Sequence, residues 1–265
     1  MAKLIVYTDV TQTYGTAIMT RTAQKTKLFD ALLERGLADS VSMAKALIMA
    51  GKVVVNEQRA EKAGQLVSPE CSIRVKGADK YVSRGGQKLA YALEDFGLND
   101  LNNISALDVG ASTGGFTHCM LLAGAQKVYA LDVGTNQLAW KLRQDPRVIS
   151  MEKTDIRKVP GPIDPDISLV VADISFNSLR NLLPSLLQAA PAKGVKFLLL
   201  IKPQFELDSF LIPTGGVVVS DEHRQMAADR VTQALEELKI KDFEVKDCRL
   251  PGRTGNREIF VLFSV

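Results

Sequence analysis

The chain has 265 residues, of which 46% are hydrophobic and 24% charged, and it carries a formal net charge of +3. This composition is ordinary for a globular chain of one or two domains and excludes wholesale disorder. The longest apolar runs, such as Phe197–Ile201, hold five residues. A membrane-spanning helix needs about 20, so we expect no membrane span.

The positive charge is concentrated in one segment. Residues 20–90 hold thirteen Lys and Arg against seven Asp and Glu, a net charge of +6, and the chain after residue 90 is mildly acidic. A basic block beside an acidic remainder favours a module that binds a polyanion. A solvated basic face without a partner explains the same charge pattern.

Three cysteines, Cys71, Cys119 and Cys248, lie far apart in the sequence. An odd number without a C-x-x-C pair or a His/Cys cluster indicates neither a disulfide framework nor a zinc site, so no metal requirement is expected. Reduced thiols are typical of a cytoplasmic protein, which is the location that we expect.

Residues 1–24 form an N-terminal extension to which the sequence assigns no structure. Residues 25–78 predict a small α/β module. Its first helix starts at Leu28 and ends at a Gly36 C-cap, and its second runs from an N-cap at Ser40 to Gly51. Strands are predicted at 52–56 and 72–75, and residues 79–82 are predicted to be a short linker.

Residues 83–265 predict a second domain in which strands and helices alternate. Such alternation is typical of an α/β, Rossmann-like fold with a mostly parallel sheet and helices on both faces. The turn-rich segment 251–256 favours an antiparallel edge hairpin between the last two strands. Strands are predicted at 104–109, 127–131, 148–151, 169–172, 196–201, 243–248 and 259–263, and helices at 116–123, 137–144, 178–189 and 221–238.

A glycine-rich loop, LDVGASTGGF at residues 107–116, joins the first of these strands to a helix. Glycine lets the backbone approach a ligand closely, and the start of a helix offers free N–H groups. The spacing G-x-x-x-G-G differs from the dinucleotide motif G-x-G-x-x-G, and no Lys follows as in a P-loop. A tight structural turn without a cofactor is the alternative interpretation.

Acidic residues at the strand ends indicate which cofactor this loop would bind. Asp108 suits a cationic ligand better than a pyrophosphate, and Asp132, at the end of the next strand, can hold ribose hydroxyls. Asp155 follows the third strand and can accept a hydrogen bond from an adenine amino group. The expected ligand is S-adenosylmethionine, a nucleoside that bears a cation. The predicted cofactor residues are Asp108, Gly110, Ser112, Gly114, Gly115, Phe116, Asp132 and Asp155.

Two further charged residues follow apolar strands. Asp173 comes after residues 169–172, and Lys202 comes after 196–201. In a parallel sheet, such positions line the crevice where ligands bind. A structural salt bridge between the two is the alternative.

Five motifs then carry a resemblance to a known family. The chain resembles the TlyA (haemolysin A) family, which has an FtsJ-type catalytic domain and methylates ribose in ribosomal RNA. The resemblance covers about residues 25–265. It implies 2′-O-methylation of a cytidine and identifies residues 25–78 as an α-L type RNA-binding module. The motifs are SRGGQKL at 83–89, the loop at 107–116, ADISF at 172–176, KPQFE at 202–206 and GNRE at 255–258.

The family's Lys-Asp-Lys-Glu tetrad matches Lys88, Asp173, Lys202 and Glu258. A ribose hydroxyl is a poor nucleophile, so a base beside it helps methyl transfer. Desolvation and the like charge of Lys88 would lower the pKa of Lys202 and let it act as that base. Asp173 would orient Lys202, and Glu258 would position Lys88 or the target ribose.

The expected partner is ribosomal RNA or a ribosomal subunit. Phosphate contacts are predicted at Lys25, Lys27, Arg35, Lys45 and Lys52. Phe205, Phe176 and Tyr81 are candidates for stacking on an RNA base, although core packing is the favoured role for Phe176. The alternatives are a non-catalytic ribosome-assembly factor, a haemolysin with an amphipathic surface helix, and a nicotinamide enzyme, which the glycine spacing disfavours.

Overall fold

The computed structural model describes residues 25–265 except 36, 39 and 77–79. The predicted extension at 1–24, the predicted C-cap Gly36 and the linker residue Asp79 therefore lie outside the described residues. The chain forms two compact units that divide after Ala78. No helix of the described residues is long and apolar enough to cross a membrane.

The first unit combines two helices with short antiparallel strands. Ser40 caps the second helix as predicted, because its Oγ accepts a hydrogen bond from the backbone N–H of Met43. The apolar faces of both helices pack on the sheet around Leu28, Leu32 and Ile48. The elements are β1 Thr26–Lys27, α1 Leu28–Glu34, α2 Val41–Met49, β2 Val53–Val55, β3 Gln58–Arg59, β4 Leu66–Val67 and β5 Ile73–Val75, paired as β1-β4 and β3-β2-β5.

The second unit is a three-layer α/β structure, as predicted. Its seven-stranded sheet has the order β11-β12-β10-β9-β6-β7-β8, and β12 runs antiparallel to β10 and to β11. Its helices are α3 Arg84–Asp95, α4 Gly115–Leu122, α5 Trp140–Arg143, α6 Leu179–Ala189, α7 Pro203–Glu206 and α8 Asp221–Glu237. Its strands are β6 Ser105–Val109, β7 Lys127–Leu131, β8 Val148–Met151, β9 Ile167–Ala172, β10 Lys196–Ile201, β11 Phe243–Asp247 and β12 Ile259–Ser264.

The central strands are apolar on both faces, which is typical of parallel sheets that are covered on both sides. Alternate residues of β9 go to different cores: Val170 packs with α6 and α8, and Val171 packs with α3 and α4. Because the buried strands end together, the polar residues that follow them are collected at one edge of the sheet.

Helix α3 was not among the predicted helices, and it is held by close contact with α4. A Cβ on Gly86 would lie 2.4 Å from the Tyr81 side chain and 2.8 Å from the carbonyl oxygen of Gly115. Only glycine allows the two helix starts to approach so closely. Tyr81 and Val82, assigned to the linker from the sequence, pack into the core of this unit.

Helix α5 is shorter than the predicted 137–144. The Glu152 carboxylate accepts hydrogen bonds from the backbone N–H groups of Asn136, Gln137 and Leu138. These bonds hold the segment outside the helix, and they lower the pKa of Glu152. A contact of this kind, from a residue 14 to 16 positions away, leaves no periodic signal in the sequence.

Candidate active site

A cavity of about 310 Å³ opens at the carboxyl ends of the parallel strands. Four of the predicted cofactor residues line it: Gly110, Ser112, Asp132 and Asp155. Asp173 and Phe176, for which the sequence predicts other roles, line it as well, and the remaining lining residues have no predicted role. They include Val133, Gln137, Ile156, Ile174, Ser175, Asn177 and Leu182.

The glycine loop joins two strand ends at this cavity. Gly110 has a φ of +83°, and a Cβ there would lie 2.9 Å from the carbonyl oxygen of Asp173. Glycine therefore lets the ends of β6 and β9 meet. Ser112 also has a positive φ, +49°, a conformation that is uncommon outside glycine and is frequent at binding sites.

Asp132 is fixed by two backbone donors. Its Oδ2 accepts from the N–H of Ser112 at 2.8 Å, and its Oδ1 accepts from the N–H of Gly134 at 2.7 Å. A carboxylate has about four acceptor positions, so each oxygen keeps one for a ligand. This geometry suits two neighbouring hydroxyl groups.

Asp155 lies on the cavity wall in a different environment. Its oxygens accept from the backbone N–H and the guanidinium of Arg157, at 2.7 to 3.2 Å. Hydrogen bonding to Arg157 lowers the pKa of Asp155 to about 2. The carboxylate is therefore charged at neutral pH and acts only as an acceptor.

The other predicted cofactor residues do not line the cavity. The fully buried Asp108 accepts through Oδ2 from the N–H and the hydroxyl of Thr117, and its Oδ1 has no partner among the described residues. Burial raises the pKa of Asp108 to about 7. Gly114 is the N-cap of α4 with φ +90°, Gly115 packs against α3, and Phe116 stacks on Phe260.

The four tetrad residues form two ion pairs beside the cavity. Lys88 of α3 donates to the Oε2 of Glu258. The Nζ of Lys202 lies 2.6 Å from the Oδ1 of Asp173 and donates to the Oγ of Ser175 at 2.8 Å. Lys88, Lys202 and Glu258 are buried, and Asp173 also lines the cavity.

The electrostatics of Glu258 tie the two pairs together. Burial raises the pKa of Glu258 above its ordinary value, and the negative charge of Asp173 adds to that effect. The positive charges of Lys88 and Lys202 oppose it. The charges of the other three groups therefore all affect the pKa of Glu258, so the tetrad forms one electrostatic cluster.

Comparison with known proteins identifies the family. Residues 81–264 match the FtsJ-like methyltransferase family, and residues 26–70 match the S4 domain. The chain is 40% identical over 90% of both chains to the 16S/23S rRNA (cytidine-2′-O)-methyltransferase TlyA of Mycobacterium tuberculosis. It is 36% identical to Hemolysin A of Brachyspira hyodysenteriae, over 87% of this chain and 96% of that one.

The chain belongs to the TlyA (haemolysin A) family of FtsJ-like methyltransferases. A solved structure from Streptococcus thermophilus, named as a hemolysin, is 37% identical with a TM-score of 0.67. The match covers 92% of this chain and 90% of that one.

Two phenylalanines of this methyltransferase each follow a tetrad residue by three positions in the sequence. Phe176 is 89% exposed, so the favoured sequence interpretation of core packing is wrong for it. Its backbone has a φ of +65°, and its ring lies 5.5 Å from that of Phe205. Tyr81, the third stacking candidate, is buried and packs into the core.

The S4 domain carries the predicted phosphate contacts, and Lys25 and Lys52 are exposed on it. Lys27 and Lys45 both lie over the ring of Phe29, at 5.7 and 5.0 Å from its centroid. Phe29 thus holds two ammonium groups on one surface.

Arg35 of the same domain has a structural contact that the sequence did not predict. Its guanidinium donates to the carbonyl oxygens of Cys71 and Pro69, both at 2.7 Å. These bonds tie the end of α1 to the turn before β5.

Glu206 is a buried residue of this methyltransferase for which no role was predicted. Its carboxylate accepts from the hydroxyl of Ser178 and the N–H of Leu179, both at 2.5 Å. Burial raises the pKa of Glu206. The contact caps α6 and so holds the segment from Asp173 to Ser178 beside Lys202.

Proposed function

We propose that this methyltransferase transfers a methyl group from S-adenosylmethionine to the ribose 2′-hydroxyl of a cytidine in ribosomal RNA. The observation that carries the proposal is the shared position of Asp173, which lines the cavity and also contacts Lys202. The name of the M. tuberculosis relative supports the substrate. A ribosomal substrate and three free cysteines agree with a cytoplasmic location.

The cavity suits the proposed methyl donor. Its volume lies at the small end of the range of ligand pockets, which is about 300–1,000 Å³. Asp132 has free acceptor positions for the two ribose hydroxyls, and Val133 and Ile156 provide apolar walls for a base. Asp173 supplies a negative charge for the sulfonium. When bound, S-adenosylmethionine supplies a methyl group that leaves a neutral thioether behind.

Lys202 would act on the target hydroxyl. As the neutral amine, its Nζ would accept the proton of the 2′-hydroxyl, so that the oxygen can take up the methyl group that the donor supplies. Asp173 pairs with Lys202 in the ligand-free protein. Because Asp173 also faces the cavity, a cationic ligand would share its negative charge with Lys202.

Lys88 and Glu258 would complete the site. Lys88 adds a second positive charge to this buried cluster. Glu258 keeps the buried Lys88 ammonium paired. Much of the acceleration would come from holding the hydroxyl in line with the methyl group.

Mapping ribose methylation tests the function. Ribosomal RNA from cells that lack this protein should lose one or more 2′-O-methylcytidines, and the wild-type chain should restore them. Lys202→Ala should not restore them, whereas Lys193→Ala should, because Lys193 is exposed in the turn before β10. A methylation map that does not change when the protein is absent would refute the proposed function. Near-normal turnover by Lys202→Ala would refute the role of Lys202 as the base.

A further inference from the structure

The arginines of the second unit differ in how they are paired. Residues 80–265 contain ten arginines, and eight of them lie within 4.0 Å of a carboxylate oxygen. Arg84 and Arg253 are the two that have no such carboxylate among the described residues. Both are exposed. An exposed guanidinium without a carboxylate is available to an anion from outside the chain.

These two arginines lie on the elements that carry Lys88 and Glu258. Arg84 is the first residue of α3 and precedes Lys88 by about one helical turn. Its Nη2 donates to the carbonyl oxygen of Pro251 at 3.2 Å. Arg253 lies two residues further along the same loop, which leads directly into Glu258.

The loop that carries Arg253 is firmly held. The buried Asn256 side chain accepts from the N–H of Val218 and donates to the carbonyl oxygen of Gly216, both at 2.8 Å. A Cβ on Gly252 would lie 2.6 Å from the Oε1 of Glu258, so the loop backbone packs directly on the tetrad. The backbone that carries Arg253 is therefore held in place by these contacts.

Arg84 is also placed against the local electrostatic preference of its helix. A cation at the first position of a helix opposes the helix dipole, and the first turn of α3 contains no acidic residue. The position gives Arg84 no carboxylate partner among the described residues. Its contact with Pro251 does bring it to the loop of Arg253.

We propose that Arg84 and Arg253 bind backbone phosphates of the RNA next to the target ribose. This inference rests on the proposed function, because it assigns the RNA contacts of the same site. A guanidinium presents paired N–H donors that match phosphate oxygens, and it keeps its charge at any physiological pH. The two arginines form a basic rim that positions the ribose beside the tetrad, separate from the lysines of the S4 domain.

Variants of the full-length enzyme test the rim. Ribosomal subunits from cells that lack the protein would serve as substrate. The variants are Arg84→Ala, Arg253→Ala, the double Ala variant, Arg84→Lys and Arg253→Lys. Lys193→Ala removes the same charge elsewhere and is the matched control. We expect each Ala variant to raise the KM for the subunits about tenfold. The S-adenosylmethionine Kd should not change, because neither arginine lines the cavity.

The salt dependence separates a phosphate contact from a structural effect. Each lost contact should reduce the slope of log affinity against log salt by about 0.7 to 0.9, and the Lys versions should recover part of it. Variants with wild-type KM and slope would overturn the inference while the function stands. A raised KM with an unchanged slope would also overturn it. A wild-type enzyme that does not methylate the subunits would instead refute the proposed function.

Discussion

Removing one partner of the buried pair between Lys88 and Glu258 should both destabilise the enzyme and inactivate it. Glu258 is 3% exposed and Lys88 is 7% exposed, so Glu258→Leu leaves an ammonium in the interior without a counter-charge. Breaking a buried pair in this way costs about 3–5 kcal/mol. For a unit of this size, that corresponds to a fall in Tm of about 6–20 °C.

The double variant Lys88→Met/Glu258→Leu separates the two effects. Apolar side chains of similar volume often replace a buried pair without loss of stability, so the Tm should return to within a few degrees of the wild type. Methylation should stay absent, because the charge of Lys88 is lost from the tetrad. Thermal denaturation and methyl transfer to ribosomal subunits measure the two properties on the same samples.

Two results would refute this reasoning. A Tm of Glu258→Leu equal to that of the wild type would show that the Lys88 ammonium finds solvent or another partner. Recovery of methylation in the double variant would show that the pair is only structural.

Three further predictions concern the cavity and its surroundings. Phe176→Gly should raise stability by about 1 kcal/mol, since glycine adopts φ +65° without strain. It should also raise the KM for RNA about tenfold through lost stacking, and an unchanged KM would contradict that role. Asp132→Asn should weaken S-adenosylmethionine binding about 10–100-fold in calorimetry, with RNA affinity as the control. Asp108 has a pKa of about 7 when folded against 3.8 as its ordinary value, so stability should fall as pH rises between them. Denaturant titrations at several pH values should show that the stability of Asp108→Asn no longer falls with pH in this range.

The strands of the large sheet were predictable because buried parallel strands are continuous apolar runs. Predicted and observed bounds agree for the buried strands β7 and β10, and also for the edge strand β8, which is only partly buried. Helix α3 was not predicted, because its first turn contains Gly85 and Gly86, which are poor helix formers. The structure shows that the contact with α4 requires Gly86, whereas a Cβ on Gly85 would make only ordinary contacts.

The site was predictable only to the level of position along the chain. Asp108 and Asp132 both lie at strand ends, yet only Asp132 reaches the cavity, while Asp108 faces Thr117 of α4. The pattern of a single sequence does not distinguish these two orientations. Core packing was the favoured role for Phe176, but the turn after Ala172 carries it to the surface.

The antiparallel placement of β12 has a consequence for biosynthesis. Lys88 and Glu258 are 170 residues apart, and β12 lies between β10 and β11 in the sheet. A nascent chain therefore holds Lys88 without its carboxylate until residue 258 has been translated. Products that terminate before this residue lack both the carboxylate and β12, the strand that pairs with β10, so they cannot form the complete tetrad.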